Sequence, residues 1–167
     1  MNPFEFELRK SLRDVVPRWL KELDEHKGDR SELRRAQNAA DVYGVAMAHR
    51  LAELLAPEPR HADAVFFVAA LLAHVRDPLA STLVERLEYE SQGAKPGEGK
   101  LKLQRFAQLL RADSLPDRLR LFRRVVQLVD GSVDAVDLAY LFLTWPDNAT
   151  KRDFARRYFS PRTPHDA

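Results

Sequence analysis

LKLQRFAQLLRADSLPDRLRLFRRVVQLV, residues 101–129, is the stretch that decides the fold class. Leu103, Phe106, Leu109 and Leu110 recur at helical spacing before the break at Ser114 and Pro116; Leu119, Phe122, Val125 or Val126, and Val129 do so after it. Apolar residues at i, i+3, i+4 and i+7 share one face of a helix, so two amphipathic helices are predicted, over 101–112 and 115–129. Ser114, with Pro116 close behind, is a helix-start signal. Downstream, Gly131-Ser132 and Pro146-Asp147 punctuate two further helices, over 133–144 and 148–159. Upstream, SQGAKPGEGK (91–100) has three glycines and a proline and predicts a loop.

The first half reads the same way. Asp77-Pro78 fits a cap with proline at the first helical position, opening a helix to about Glu90. Residues 62–75 are apolar nearly all round, the pattern of a central buried helix, and 41–55 reads as a helix bounded by Pro57. A first helix from near Phe4 to about Glu25 puts Leu8, Leu12, Val15, Val16, Trp19, Leu20 and Leu23 on one broad face. Pro17 predicts a kink or a break in it. Gly28 is expected to end that unit, and Asp29 or Ser31 to cap the short charged piece SELRRAQ, 31–37. No stretch alternates in the strand manner. The prediction is all-α: a bundle of about eight helices within residues 1–160, either one bundle or two small ones hinged at 91–100, followed by a tail at 161–167.

Composition narrows the function classes. The 167 residues are 45% hydrophobic and 31% charged, a globular balance. The absence of cysteine excludes disulfides, thiolate zinc sites and cysteine nucleophiles. The longest apolar run, 64–73, has about half the ~20 residues a membrane span needs. MNPFEFELRK has early glutamates and no apolar core of a signal peptide, so a cytoplasmic address is expected.

His61-Ala-Asp63 and His74-Val-Arg-Asp77 each bring an imidazole near a carboxylate, but no further ligand spacing supports a metal or an acid–base site. His165-Asp166 sits at the C-terminus. There is no His-Glu-x-x-His, phosphate-cradling glycine loop or Gly-x-Ser-x-Gly. Asp130, Asp134 and Asp137 are read as helix-start carboxylates rather than a magnesium cluster. No catalytic residue, metal or cofactor is expected.

The charge distribution is more telling than the net of +2. Residues 1–99 carry 14 Lys/Arg against 17 Asp/Glu; residues 100–167 carry 13 against 8. Arg120, Arg123, Arg124 and Gln127 follow i, i+3, i+4, i+7, which predicts three guanidiniums on one exposed face with no glutamate at i±4 to neutralise them. Lys102 and Arg105 point outward together on the preceding helix, with Arg111 further along. Two such helices side by side would track a phosphate backbone, single- or double-stranded. Phe106 and Phe122 fall on the apolar stripes, so core packing is expected of them rather than base stacking. The competing reading is a helical scaffold whose basic face meets acidic partner proteins.

Several pieces, in this order and spacing, resemble the CasB family, the small subunit of the type I-E CRISPR surveillance complex Cascade. They are an early helix with Trp19 and Leu20, SELRRA (31–36), AHRL (48–51), QRFAQLLRAD (104–113), RLRLFRRVVQLV (118–129), VDAVDLAYLFLTW (133–145) and FARRYF (154–159). The resemblance implies an all-helical, non-catalytic subunit present as a pair, beside the backbone subunits and the large subunit. It further implies basic surfaces that hold the guide RNA–target DNA hybrid and the displaced non-target strand, without reading sequence. On that basis Arg34, Arg35, Arg105, Arg111, Arg123 and Arg124 are implied nucleic-acid contacts, and Arg50 either a contact or a buttress. The helical face extends the set to Lys102, Arg118 and Arg120. The loop 91–100, with Lys95 and Lys100, and the tail match nothing in the family pattern.

Overall fold

The computed structural model of the chain describes residues 2–90 and 99–160. Among these, ten α-helices follow one another: α1 Pro3–Asp24, α2 Lys27–Arg35, α3 Ala39–Tyr43, α4 Ala46–Leu55, α5 Ala62–Leu72, α6 Leu83–Glu90, α7 Leu103–Leu110, α8 Leu115–Leu128, α9 Ala135–Thr144 and α10 Asn148–Phe159. A short 3-10 turn, Pro59–His61, leads into α5. The described residues form no strand; one parallel bridge joins Asp77 to Ser132. Most of the expected hinge (91–98), Lys95, and the tail with His165 and Asp166 lie outside the described residues.

The all-round apolar sequence of α5 has its physical counterpart in its position. It packs against α2, α3, α4, α8 and α9, and nearly every side chain on it is buried. α1 lies across α4 and α9, α7 against α8, and α10 against α6. Leu12, Val16, Trp19 and Leu23 of α1 enter the same buried cluster as Phe122 of α8, Phe142 of α9 and Phe154 of α10. Phe122 meets Phe142 and Trp145 edge to face, and Phe106 stacks on Tyr158 at 4.0 Å between ring centroids. Both phenylalanines are therefore core residues, as their stripe positions predict.

Several boundaries differ from the sequence reading, each for a local reason. α1 runs unbroken through Pro17, whose ring faces solvent. Gly28 lies inside α2 rather than ending α1. Asp29 does not cap α2: its carboxylate accepts from the Met47 N–H at 3.1 Å and so caps α4. The expected 41–55 helix divides at Gly44, because Val45 is extended. Residues 77–81 are not helical. The carbonyls of Asp77, Pro78 and Ser81 accept instead from the N–H groups of Val133, Ala135 and Asp134, covering the start of α9. Ser114 and Asp134 cap as predicted, accepting from Asp117 N and from Val136 N and Asp137 N.

The ten helices of the described residues leave many C-terminal carbonyls without an intrahelical donor. In this chain, long side chains satisfy them. Arg30 donates to the carbonyls of Ala73 (3.2 Å) and Val75 (2.7 Å) just past α5, and Arg34 Nε to Ala73 at 2.9 Å. Trp145 Nε1 donates to Leu109 at 2.9 Å in the last turn of α7. Two residues expected on the exposed basic face belong to this group. Arg118 is only 4% exposed, and its Nη1 donates to the Phe142 carbonyl at 3.0 Å in the last turn of α9. Arg123 turns inward to the end of α2, donating to the carbonyls of Leu33 (2.8 Å) and Ala36. The helical wheel places both near the polar edge, but a guanidinium on a flexible stem reaches a buried carbonyl from there. Arg50 is a buttress as well, forked onto Glu22 at 3.0 and 3.2 Å.

Two outcomes are expected. Arg123→Met removes the side-chain donor from the Leu33 and Ala36 carbonyls at the end of α2 and lowers stability in urea denaturation by about 1–3 kcal/mol, whereas Arg124→Met, one residue on and exposed, stays within about 0.5 kcal/mol of the parent. Asp137, whose carboxylate accepts from Leu83 N at 3.1 Å at the start of α6, is pushed up by burial from 3.8 to about 6. The folded protein therefore holds that proton more tightly than the unfolded chain. Its stabilising contribution is complete below 3.8 and is lost as the pH rises through about 6. Asp137→Asn keeps an acceptor for Leu83 and removes this component. Urea titrations at a series of pH values then show a flatter profile between pH 4 and 7, with the variant ahead at pH 7 by on the order of 2 kcal/mol.

Candidate nucleic-acid interface

With Arg118 and Arg123 engaged in the fold, the remaining basic residues sort by element. α8 presents Arg120 and Arg124 to solvent, followed one turn on by Gln127. Gln127 lies seven positions after Arg120, about 10 Å along the axis. Arg120 reaches Asp117 at 3.5 Å, an exposed i,i+3 pair that the i±4 rule did not include. Such a pair is worth little in water and yields readily to a competing phosphate. Arg124 has no carboxylate within ion-pairing distance among the described residues.

α7 is amphipathic, with Phe106 and Leu109 inward. Lys102 is its N-cap residue, Arg105 lies in its first turn, and Arg111 is the C-cap residue; all three are exposed. α7 and α8 pack together, so these charges and those of α8 belong to neighbouring elements. Arg34 and Arg35 close α2 and are exposed as well. Arg34 does two things at once, because only its Nε is held, by the Ala73 carbonyl. Desolvation, with Arg30 and Arg76 nearby, pulls its pKa down.

The three basic elements are physically linked. Arg123 ties α8 to the end of α2, where Arg34 and Arg35 emerge. Beyond the tie, Arg34 and Gln127 line one cleft together with Arg76, from the turn after α5. Arg76 is the residue that sequence reasoning missed. It sits outside any helix, so no periodicity marks it, and its position follows from two backbone bonds. The N–H groups of Arg76 and Asp77 both donate to the Gly131 carbonyl, at 2.8 and 3.2 Å. Gly131 has φ +71° and approaches so closely that a Cβ there would lie 2.6 Å from the His74 carbonyl oxygen.

His61 is buried, its ring 5.9 Å from that of Phe4, and burial pulls its pKa down. Among the described residues no three His, Asp or Glu side chains converge as a metal site would need. No helix of the described residues is long and apolar enough to cross a membrane.

Residues 29–159 match the family described as CRISPR-associated protein Cse2. No significant match was found among curated proteins or among solved structures. The match begins within α2 and ends with the last residue of α10, taking in Arg34, Arg35, Arg76 and the basic residues of α7 and α8. The chain thus belongs to the Cse2 family, the small subunit (CasB) of the type I-E CRISPR complex Cascade.

Proposed function

We propose that this Cascade subunit binds nucleic acid through its backbone, without reading sequence, and holds the displaced non-target DNA strand when Cascade opens a duplex. The supporting observation is the division among the arginines. Arg118 and Arg123 are engaged with main-chain carbonyls, while Arg120 and Arg124 beside them on α8, and Arg105, Arg111 and Arg35 on other elements, stay in solvent. Exposed guanidiniums that the fold does not require suit phosphate neutralisation. With the core aromatics turned inward, base stacking plays no part at Phe106 or Phe122, so contact falls to phosphates, which carry no sequence information.

The physical task fits that mode. Exchanging a DNA duplex for a guide–target hybrid is close to balanced, so modest binding energy on the displaced strand tips it open. Lys102 and Arg120 extend the same surface, and the guide RNA–DNA hybrid is the second polyanion within its reach. The remaining subunits, including a second copy of this chain, complete the channel; the chain works in the cytoplasm and needs no cofactor.

Labelled single-stranded DNA titrated against the purified chain should show affinity falling with salt, with a log–log slope near −0.7 per phosphate contacted. Arg120→Glu with Arg124→Glu should weaken binding by at least tenfold and flatten the slope, equally for unrelated sequences, with unfolding unchanged. The same double variant in reconstituted Cascade should slow or prevent stable opening of target duplex. Wild-type affinity and duplex opening in the variant would overturn the proposal and favour a basic face that meets acidic partner proteins.

A further inference from the structure

The cleft beyond the α8 arginines has a volume of about 420 Å³ and mostly polar walls. Arg34 enters it from the end of α2, Arg76 and His74 from the turn after α5, and Gln127 from α8, with Asp130 and Gly131 closing one side. Two features make it more than a surface fold. Arg76 is close enough to Arg34 to disfavour the Arg34 charge, and neither has a carboxylate within ion-pairing distance among the described residues. His74 Nε2, at the same place, is buried and has no hydrogen-bond partner. Burial, followed by Arg123, Arg34 and Arg30, holds that imidazole down at about 4, so it is neutral at pH 7 and adds no charge of its own.

A concave site with two unneutralised guanidiniums and amide donors beside them is built for an oxyanion. The anion would relieve the repulsion between Arg34 and Arg76. No phenylalanine, tyrosine or tryptophan lines the cleft, so it offers none of the large aromatic platforms on which bases stack. Arg120, Arg124 and Gln127, at i, i+4 and i+7 on α8, lead directly into it.

We propose that this cleft seats one backbone phosphate of the bound strand, gripped between Arg34 and Arg76 with Gln127 beside them, at the end of the track formed by Arg120 and Arg124. The proposal rests on the nucleic-acid reading above and assigns Arg76 a role that the helical pattern does not show. Asp130 is the one carboxylate on the cleft wall. It opposes the anion, which supplies a test in the direction of gain. Its backbone is left-handed, φ +56°, a conformation asparagine tolerates as well as aspartate.

The experiment is a salt series of oligothymidylate binding, with and without a 5′-phosphate, for the full chain and for Arg76→Gln, Asp130→Asn and Arg120→Gln. Arg76→Gln should lower affinity several-fold and reduce the log–log slope by about 0.7, the loss of one phosphate contact. Asp130→Asn should tighten binding two- to fivefold. The 5′-phosphate should make no difference. If Arg76→Gln and Asp130→Asn match the parent while Arg120→Gln weakens binding, the cleft is not on the path and only this inference falls. If affinity rises with the 5′-phosphate alone, the cleft takes a strand end and the backbone assignment is overturned. If no protein in the series binds, both this inference and the wider nucleic-acid reading fall.

Discussion

A helix leaves four carbonyls at its C-terminus that it cannot satisfy itself, and a chain whose described residues build ten helices meets this constraint repeatedly. Here the answer is side-chain donors from a distant part of the sequence. Arg30 and Arg34 close the end of α5, Arg123 the end of α2, Arg118 the last turn of α9 and Trp145 the last turn of α7. Each bond joins two elements while it satisfies a main-chain group. Hydrophobic burial supplies most of the stabilisation, but it is non-directional. The donor–carbonyl bonds fix which helix end lies against which helix face.

That constraint also explains why the surface charge has its particular layout. Arginine is suited to both tasks, since its fork satisfies two carbonyls at once and its charge persists when partly buried. In RLRLFRRVVQLV the four arginines divide evenly, Arg118 and Arg123 inward, Arg120 and Arg124 outward. The inward pair sets α8 against α9 and α2, and so decides where the outward pair points. The basic face is thus held in place by residues of its own kind.

The fold class was legible because apolar spacing is a local property, and the all-round apolar α5 stands out even in isolation. Ser114 and Asp134 were readable as caps because their partners lie within three residues. What the sequence concealed was non-local. Asp29 caps α4 and not its own helix, the 77–81 segment lies against the start of α9, and Arg118 and Arg123 reach carbonyls 24 to 90 residues away. Arg76 carried no pattern at all, since a turn residue is placed by what holds the turn, here the Gly131 carbonyl. Counting arginines could find the basic region. It could not separate the structural from the exposed members.

The Arg123 bonds span 87 and 90 residues of chain. Contacts that close loops of that length form late, because chain entropy must be overcome before they give anything back. During synthesis, α2 emerges long before α8, so its terminal carbonyls stay hydrated and its position on α5 is held by apolar contact and by the Arg30 and Arg34 bonds to the end of α5. Arrival of α8 then locks both ends in one step, bringing Arg34, Arg35 and the α8 arginines into register together. The full basic surface therefore depends on the arrival of α8, and a chain interrupted before residue 123 lacks the tie that sets the α2 arginines against those of α8.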